Sequence, residues 1–432
     1  MSVIKKADIV DSIEDALQYI SYYHPKDFID AMEKAYNTEQ SSAAKDAMAQ
    51  ILINSRMSAE GHRPLCQDTG IVTCFVKIGM NVRWDSDLTV QEMVDEGVRQ
   101  AYTNPDNPLR ASIVADPAGT RKNTRDNTPS VVHIDMVPGD HVEVMIAAKG
   151  GGSENKSKMV MLNPSDDIAA WVEKTLPTMG AGWCPPGMLG IGIGGTAEKA
   201  AVLAKESLMD PVDIHELMER GAETTEEKLR LDIFERANST GIGAQGLGGL
   251  TTVLDIKVKS VPTHAASKPV VMIPNCAATR HVHFHLDGTG PADLSPPSLA
   301  DWPEITREAG ENTHRVDLDN VTQAEIETWK SGDTLLLNGK MLTGRDAAHK
   351  RIQTLIESGE GLPEGVDFTG KFIYYVGPVD PVGNEVVGPA GPTTATRMDK
   401  FTDLMLEKTG LMGMIGKSER GPQTVESIKK HK

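Results

Sequence analysis

Cysteine is scarce in this sequence, and long apolar segments are absent from it. The 432 residues include four cysteines, none of them in a C-x-x-C pair, so a disulfide framework, a zinc ribbon and a thioredoxin-like redox motif have no support. No apolar run approaches the ~20 residues that a membrane span needs. The N-terminal residues mix acids into an apolar helical period, unlike a signal or transit peptide. Sparse cysteine suits a reducing compartment, and we expect a cytoplasmic protein without a membrane partner.

The sequence has fewer basic than acidic residues. The chain has 44 Lys and Arg against 61 Asp and Glu, which gives a formal net charge of −17. A surface of this sign argues against a nucleic-acid partner. A doubly anionic substrate would therefore need a local basic pocket that works against the field of the whole protein.

The length exceeds the usual range of one domain. Helical patterns such as DFIDAMEKAY alternate with strand-like GIVTCFVKIGMNV and HVEVMIAAK in the first two thirds. Residues 287–304, dense in Gly, Pro, Ser and Asp, are predicted to be a linker. Beyond them, strand-like DTLLLNG, KFIYYVG and NEVVGPAG mix with helical GRDAAHKRIQTLIESG and TRMDKFTDLMLEKTG. The predicted fold class is α/β, with an N-terminal domain over 1–286 and a smaller β/α domain over 305–432.

Two glycine-rich stretches come close to phosphate-binding motifs. Gly190, Gly192 and Gly195 satisfy G-x-G-x-x-G, but a turn and a second helical pattern follow where a dinucleotide fold needs a strand. We therefore predict that these glycines allow close packing and expose helix N-terminal amides. GGGSENKS lacks the second glycine of a phosphate loop, although a glycine run after a strand fits a backbone-lined binding site.

The histidines of HVHFH form a third pattern. His281, His283 and His285 fall on one face of a strand, because side chains alternate with a period of two. At that spacing they could hold zinc, or they could be hydrogen-bonded residues on a polar strand face.

Three of the four cysteines lie in turn-like contexts. Cys66 stands in PLCQDTG, Cys184 in GWCPPG and Cys276 in IPNCAATR, whereas Cys74 lies inside the apolar GIVTCFVKIG and is predicted to be a small buried hydrophobe. Three loop thiolates suggest a [4Fe-4S] cluster with three protein ligands, in which the remaining iron is open to substrate as a Lewis acid. Spacing alone leaves unrelated buried cysteines as the alternative, since these are common.

Long phrases of the chain resemble the class I, iron–sulfur-dependent fumarate hydratases. The matching phrases run in order from about residue 60 to the end: CQDTG, KGGGSENKS, GWCPPG, THAASKPVVMIPNCAATRH, TGRDAAHKR, YYVGPVD, VGPAGPTTATRMDKF and GMIGKSERGP. The resemblance implies reversible hydration of fumarate to (S)-malate by a homodimer. It also implies an N-terminal α/β domain that carries the cluster and a C-terminal swivelling domain. Family members usually continue past the equivalent of IKKHK, so we expect the chain to end inside this second domain.

The resemblance also implies a set of site residues. The cluster ligands are Cys66, Cys184 and Cys276. The substrate-binding residues are Gln67, Arg110, Gly151, Arg345 and Arg397. The catalytic residues are Asp68, Thr393, Lys417 and His264. Planar guanidinium groups suit the two carboxylates of malate, because each can bind an oxygen pair bidentately.

The implied roles follow the chemistry of dehydration. Asp68 assists the departing hydroxyl, with His264 as its supporting partner or as a purely structural histidine. Thr393 is the implied base for the C3 proton, and it needs a cation such as Lys417 nearby because a threonine hydroxyl is a weak base. The alternative role for Thr393 is a helix cap. For the Arg and Lys residues the alternative is a solvated surface charge.

Two other functions stay open at this level. Tartrate and mesaconate dehydratases share this architecture, and a few pocket contacts worth about 1–3 kcal/mol each separate their substrates from malate. A non-enzymatic iron or redox sensor is the second alternative. Its nucleic-acid-binding form would want a basic face, which a net charge of −17 disfavours.

Overall fold

The computed structural model describes residues 2–306 and 312–431. The chain forms two compact units of mixed α/β structure. The first comprises Met1–Ile305 and Val379–Pro389, and the second comprises Thr306–Pro378 and Ala390–Lys432. The predicted α/β class is therefore confirmed for both parts of the chain.

The described residues of the first unit form two four-stranded sheets and two short strand pairs. Its strands are β1 (Val3–Lys5), β2 (Ile71–Gly79), β3 (Arg83–Asp85), β4 (Val114–Ala115), β5 (Lys122–Asn123), β6 (Val131–Val137), β7 (Val142–Lys149), β8 (Lys158–Leu162), β9 (Gly187–Gly195), β10 (Val253–Thr263), β11 (Lys268–Asn275) and β12 (His281–Leu286). The short pairs are β1-β3 and β4-β5. Its helices are α1 (Lys6–Tyr22), α2 (Lys26–Thr38), α3 (Ser42–Gly61), α4 (Val90–Thr103), α5 (Gly151–Glu154), α6 (Ile168–Thr175), α7 (Ala197–Ser207), α8 (Ile214–Arg220) and α9 (Thr225–Ser239).

One sheet has the strand order β12-β7-β2-β6. Strand β2 is a nearly unbroken apolar run because it is buried on both faces: Cys74 and Val76 pack in one core with α1, and Phe75 is buried on the opposite face. On α1 the side chains of Ile9, Ile13 and Leu17 recur every four residues and are buried against this sheet. Cys74 is fully buried in the same core, which confirms its prediction as a small hydrophobe.

The other sheet has the order β10-β9-β11-β8 and lies against α7. A Cβ atom at Gly192 would come within 1.9 Å of the Ala200 carbonyl oxygen, so only glycine permits this approach of strand and helix. The predicted packing role of the G-x-G-x-x-G stretch is confirmed at this position. Helix α8 follows α7, where a dinucleotide fold needs a strand.

Residues 287–304 belong to the first unit and are packed on it. The indole of Trp302 is 3% exposed, and its Nε1–H donates to the Ser55 hydroxyl at 2.7 Å. The Ala292 N–H donates to the Ser12 hydroxyl at 2.8 Å. The predicted linker is therefore irregular backbone anchored to a core, because its one large aromatic side chain is buried.

A departure from the sequence prediction concerns NEVVGPAG. The structure gives this stretch no strand, and Val386 in it is 99% exposed. Most of it lies in the segment Val379–Pro389, which belongs to the first unit. The Arg63 guanidinium holds this segment through Glu385, with Nε–Oε1 and Nη2–Oε2 distances of 2.8 and 3.0 Å. The valines of this stretch predict a strand, but the structure has a loop that is held by the bidentate ion pair between Arg63 and Glu385.

The second unit combines short parallel strand pairs with helices. Its strands are β13 (Thr313–Asp317), β14 (Thr334–Asn338), β15 (Leu342–Thr343), β16 (Phe372–Tyr374) and β17 (Gly413–Ile415). Its helices are α10 (Gln323–Ile326), α11 (Asp346–Glu357), α12 (Asp399–Thr409) and α13 (Pro422–His431). Strands β15, β16 and β17 form one sheet, and Ile373, Met398 and Phe401 belong to its buried core. The predicted strands in DTLLLNG and KFIYYVG and both predicted helices are confirmed.

Among the described residues, no helix is both long enough and apolar enough to cross a membrane.

Candidate active site

The three predicted cluster ligands lie on loops next to strand ends in the first unit. Cys66 precedes β2, Cys184 precedes β9, and Cys276 directly follows β11. The Ala277 N–H donates to the Cys184 carbonyl oxygen at 3.1 Å, which ties two of these loops together. The Cys66 thiol is close enough to Cys276 for the two to interact electrostatically. The fold thus brings near each other two cysteines, Cys66 and Cys276, that are more than 200 residues apart in the sequence.

The surroundings of Cys66 differ from those of the core thiol Cys74. Burial raises the pKa of Cys66 to about 11, while the nearby Arg280 guanidinium acts in the opposite direction by favouring the thiolate. Burial alone raises the pKa of Cys74 to about 12. Iron binds the thiolate form of cysteine, so a cation beside Cys66 favours ligation there and not in the core.

Cys184 has a left-handed backbone, with φ at +60°. Non-glycine residues adopt this conformation uncommonly, and strained positions of this kind cluster at functional sites. The residue lies in the loop Trp183–Pro186, and the Pro185 carbonyl oxygen accepts a hydrogen bond from the Gln245 N–H at 2.7 Å. The loop is therefore held in a specific shape by contacts on both sides of the cysteine.

Asp68 is anchored by backbone amides. Its Oδ2 accepts from the Gly151 N–H at 2.9 Å and its Oδ1 accepts from the Gly70 N–H at 3.2 Å. Gly151 is the first residue of α5, so the glycine run after β7 does present backbone donors, as its sequence predicts. The structure thus brings together Asp68 and Gly151, two of the predicted site residues.

Gln67 and Arg110 are bonded to each other, and Arg110 is also bonded to Thr69, so it contacts the residues on both sides of Asp68. The Arg110 Nε–H donates to the Gln67 carbonyl oxygen at 2.7 Å, and the Thr69 hydroxyl donates to the Arg110 carbonyl oxygen at 2.8 Å. The Cys66 thiol lies 3.2 Å from Oε1 of Gln67. Five predicted residues of the first unit, from Cys66 to Arg110 and Gly151, therefore form one group.

Two buried cations near this group were missed by the sequence reasoning. Arg280 is 3% exposed and Lys149 is 6% exposed. The Lys149 Nζ donates to the Ser153 hydroxyl at 2.9 Å and lies 3.1 Å from Glu154, and burial lowers its pKa to about 8 although Glu154 acts to raise it. Their signals were available, since Lys149 stands directly before the glycine run and Arg280 stands four residues after Cys276.

In the second unit, the structure brings Thr393 and Lys417 together. The Lys417 N–H donates to the Thr393 carbonyl oxygen at 3.2 Å, and the Thr393 N–H donates to the Tyr375 carbonyl oxygen at 2.7 Å. Thr393 is buried, and the N-cap of the following short helix (Ala395–Met398) is Thr394. The alternative role of Thr393 as a helix cap is therefore excluded.

The two predicted arginines of this unit flank helix α11. Arg345 is the N-cap residue of α11. Arg397 forms a fork with Asp346, with Nε–Oδ1 and Nη2–Oδ2 distances of 3.2 and 2.6 Å. Because the Arg397 side chain is 54% exposed, this ion pair is worth only about 0–1 kcal/mol. Arg397 can therefore exchange Asp346 for another carboxylate at little cost.

His264 is not brought to Asp68 within the chain. It lies exposed in the loop between β10 and β11, where its Nδ1 accepts from the Ala266 N–H at 3.1 Å. Cys276 lies at the other end of β11, and a strand of that length spans roughly 25 Å at about 3.3 Å per residue. The structure therefore gives no support, within one chain, for the predicted partnership of His264 with Asp68. The loop that carries His264 and the loop that carries Cys276 lie at opposite ends of β11.

The histidines of β12 were left with two roles, a zinc site or a polar strand face. Among the described residues, the only group of three ligand atoms close enough to share one ion belongs to His141, Glu143 and His285, within 4.8 Å of one another. His285 is paired in register with Glu143 on the neighbouring strand, and Lys77 lies 3.4 Å from Glu143. Because His281 and His283 are not part of this group, the structure does not support the zinc alternative for the three histidines of this strand.

The residues present fit a three-cysteine iron–sulfur cluster. In a cubane each cysteine binds a different iron, so its thiolates need not lie close enough to share one ion. In the described part of the chain, Nε and Nη1 of the buried Arg280 have no hydrogen-bond partner. A buried guanidinium with unpartnered N–H groups beside a thiol calls for an anion at that place. A thiolate-ligated cluster is such an anion.

The chain matches two family models that together span almost its whole length. Residues 10–285 match the fumarate hydratase (Fumerase) model, and residues 288–432 match the fumarase C-terminus model. The junction between the two matches falls close to the predicted end of the first domain at residue 286.

Curated relatives agree with these matches. The chain is 34% identical over 412 residues to the aerobic class I fumarate hydratase of Escherichia coli, covering 91% of this chain and 73% of that protein. It is 32% identical over 413 residues to the anaerobic class I enzyme of the same organism, covering 92% and 74%. It is also 36% identical over 280 residues to a putative L(+)-tartrate dehydratase subunit alpha of Methanocaldococcus jannaschii, covering 63% and 95%. The chain therefore belongs to the class I fumarate hydratase family of hydro-lyases.

Proposed function

We propose that this protein catalyses the reversible hydration of fumarate to (S)-malate, with a [4Fe-4S] cluster held by Cys66, Cys184 and Cys276. The observation that carries this proposal is the meeting of the Cys66 and Cys276 loops beside a carboxylate, Asp68, that two backbone amides hold in place. When bound, the cluster would supply an open iron that polarises the substrate C2 oxygen as a Lewis acid.

Asp68 is the proposed acid–base group at the C2 oxygen. In the hydration direction its carboxylate accepts a proton from the attacking water, and in dehydration it returns that proton to the departing hydroxyl. The two amide donors, from Gly70 and Gly151, keep the carboxylate in one orientation. Orientation matters because a proton transfer needs the heavy atoms within hydrogen-bond distance.

Arginines are proposed to bind the substrate carboxylates. Nε of Arg110 is committed to the Gln67 carbonyl, so Arg110 would bind substrate through its η nitrogens. Arg397 already holds a carboxylate bidentately, that of Asp346, and a substrate carboxylate has the same shape and charge. Arg345, at the start of α11, is proposed as a further carboxylate ligand on the family resemblance.

Thr393 is the proposed base for the C3 proton. A threonine hydroxyl becomes an effective base only where a cation stabilises its alkoxide. The backbone pairing of Thr393 with Lys417 supports this role, because it places the two residues side by side in the second unit. The burial of Thr393 further strengthens any electrostatic effect of the lysine.

Fumarate is the proposed substrate because the aerobic and anaerobic fumarate hydratases of Escherichia coli align with 91% and 92% of the chain. The tartrate dehydratase relative is a single subunit, which aligns over 95% of its own length but only 63% of this chain. The arginines and Asp68 serve any 2-hydroxy dicarboxylate alike, so the choice of substrate depends on a few further contacts.

The test is anaerobic reconstitution with ferrous iron and sulfide, followed by assays on fumarate, (S)-malate, tartrate and mesaconate. We expect the highest kcat/KM for fumarate and malate, and sedimentation as the homodimer that the resemblance implies. A higher kcat/KM for tartrate than for fumarate and malate would show that tartrate is the substrate. A fully loaded protein inactive on all four would favour a sensor.

Matched cysteine variants test the ligand set. Cys184→Ala should lose bound iron and brown absorbance, while Cys74→Ala should keep both, because Cys74 lies in the apolar core. Iron is measured after anaerobic gel filtration, with circular dichroism as the control for folding. Retention of the cluster in folded Cys184→Ala would contradict the assignment.

A further inference from the structure

Arg280 is a buried charged residue of the first unit that the proposed chemistry has not used. It stands between the Cys276 loop and β12, is 3% exposed, and its carbonyl oxygen accepts from the Ala148 N–H at 3.1 Å. In the described part of the chain its Nε and Nη1 are buried without a hydrogen-bond partner. A guanidinium stays charged in proteins, so burying it without an acceptor destabilises the fold.

The groups around Arg280 do not supply that acceptor. His24 and Tyr102 interact with it electrostatically, but burial lowers the pKa of His24 to about 3 and raises that of Tyr102, so both are uncharged near neutral pH. Asp68 flanks the same glycine, since a Cβ at Gly150 would lie 3.2 Å from Asp68 Oδ2 and 3.8 Å from Arg280 Nη2. Its two oxygens accept the backbone amides of Gly70 and Gly151, and neither oxygen forms a hydrogen bond with Nε or Nη1 of Arg280.

The remaining neighbour is the Cys66 thiol, with which Arg280 also interacts electrostatically. Three cysteine thiolates outweigh the positive charge of an iron–sulfur core, so the ligated group is an anion, and reduction makes it more negative. Its sulfur atoms are hydrogen-bond acceptors. An anion of this kind beside Cys66 would satisfy both the charge and the unpartnered N–H groups of Arg280.

We propose that Arg280 is a positioning residue for the iron–sulfur cluster, donating its buried N–H groups to sulfur and compensating the charge of the cysteine-ligated anion. The inference rests on the proposed function. Hydrogen bonds to the sulfurs and a nearby positive charge raise the reduction potential of such a group and hold it more tightly.

Three variants separate this role from a structural one. Arg280→Gln removes the charge, and Arg280→Lys keeps the charge but loses the planar fork. Arg230→Gln is the matched control, because Arg230 is another largely buried arginine, bonded to Asp213, to the Ile256 carbonyl at 2.7 Å and to Asp255 at 3.1 Å.

The first measurement uses protein without iron. Removing a buried guanidinium whose Nε and Nη1 have no hydrogen-bond acceptor relieves the apoprotein, so we expect the Tm of Arg280→Gln to equal or exceed that of the parent. Arg230→Gln should lower Tm, because it removes two ion pairs, one of them with the fully buried Asp255. If Arg280→Gln does not fold, or if its Tm is clearly lower than that of the parent, the inference is overturned.

The second measurement uses anaerobically loaded protein. We expect a more negative midpoint potential in Arg280→Gln by EPR-monitored titration, loss of iron about tenfold faster than in the parent, and an intermediate Arg280→Lys. KM for malate should stay within about twofold of the parent value. The positioning role would be refuted if Arg280→Gln had the midpoint potential and the rate of iron loss of the parent. It would also be refuted if the only change in this variant were a raised KM for malate. A parent that takes up no iron would instead refute the proposed function itself.

Discussion

The hydrogen bond from Gly151 to Asp68 offers a direct test of the proposed acid–base chemistry. Gly151→Pro removes the N–H that donates to Asp68 Oδ2 at 2.9 Å and places a ring carbon where that hydrogen was. The local backbone accepts proline. Gly151 is the first residue of α5, and Gly150 has φ −65° and ψ 145°, the extended conformation preferred before proline.

Gly151→Ala is the matched control for this change. A Cβ at Gly151 would lie 3.8 Å from Asp68 Oδ2, an ordinary van der Waals distance, and the N–H remains. Any difference between the two variants therefore reports the amide donor and the position of the carboxylate.

The magnitude follows from the kind of bond that is lost. A hydrogen bond to a charged group is worth about 1.5–3 kcal/mol. Each 1.36 kcal/mol of barrier is about tenfold in rate, so kcat of Gly151→Pro should fall roughly 10–150-fold below that of Gly151→Ala. The value is a lower bound for the chemical effect, because the proline ring also displaces the carboxylate.

The assay is steady-state malate dehydration with each variant loaded anaerobically to the same iron content. Equal kcat values in the two folded variants would refute the argument that this amide positions Asp68. A raised KM with unchanged kcat in Gly151→Pro would show that the amide contacts substrate, as the family resemblance implies, and not the acid–base group.

Two further predictions concern the base and the cofactor. Thr393→Val should lower kcat by roughly 10²–10⁴-fold and abolish exchange of the malate C3 proton with deuterated solvent, since a base acts only as that bond breaks. The control Thr394→Val, at an N-cap whose side chain makes no capping hydrogen bond, should keep the parent kcat and the parent exchange rate. Exchange at the parent rate in Thr393→Val would show that another residue is the base. Exposure to air should remove activity, and ferrous iron with a thiol should restore it, because an iron without a protein ligand is open to oxidants; full activity in air with no iron bound would contradict the proposed cofactor.

Much of the local structure was determined by short-range pattern. The helical period in the first sixty residues predicts helices where the structure has α1, α2 and α3, and the apolar run around Cys74 predicts the buried strand β2. Such patterns are readable because one turn of helix or two residues of strand suffice to define a buried face. The same holds for the glycine run at the start of α5, whose backbone donors were predicted from its place after a strand.

The sequence was less informative wherever distant segments meet. A row of valines made NEVVGPAG look like a strand, but Arg63 binds Glu385, more than 300 residues away, and holds that region as a loop on the first unit. The predicted linker is packed for a similar reason, through Trp302. Neither contact leaves a trace in the local pattern.

The candidate site shows the same division. Residue type and family resemblance selected Cys66, Asp68 and Cys276, but only the fold shows that the loops of the two cysteines meet and that Gly151 anchors the aspartate. Arg280 was overlooked because an arginine in a sequence is usually a solvated surface charge. Its burial without an acceptor arises from the packing of β7, β12 and the cysteine loops around it, and burial of that kind is a property of the tertiary structure alone.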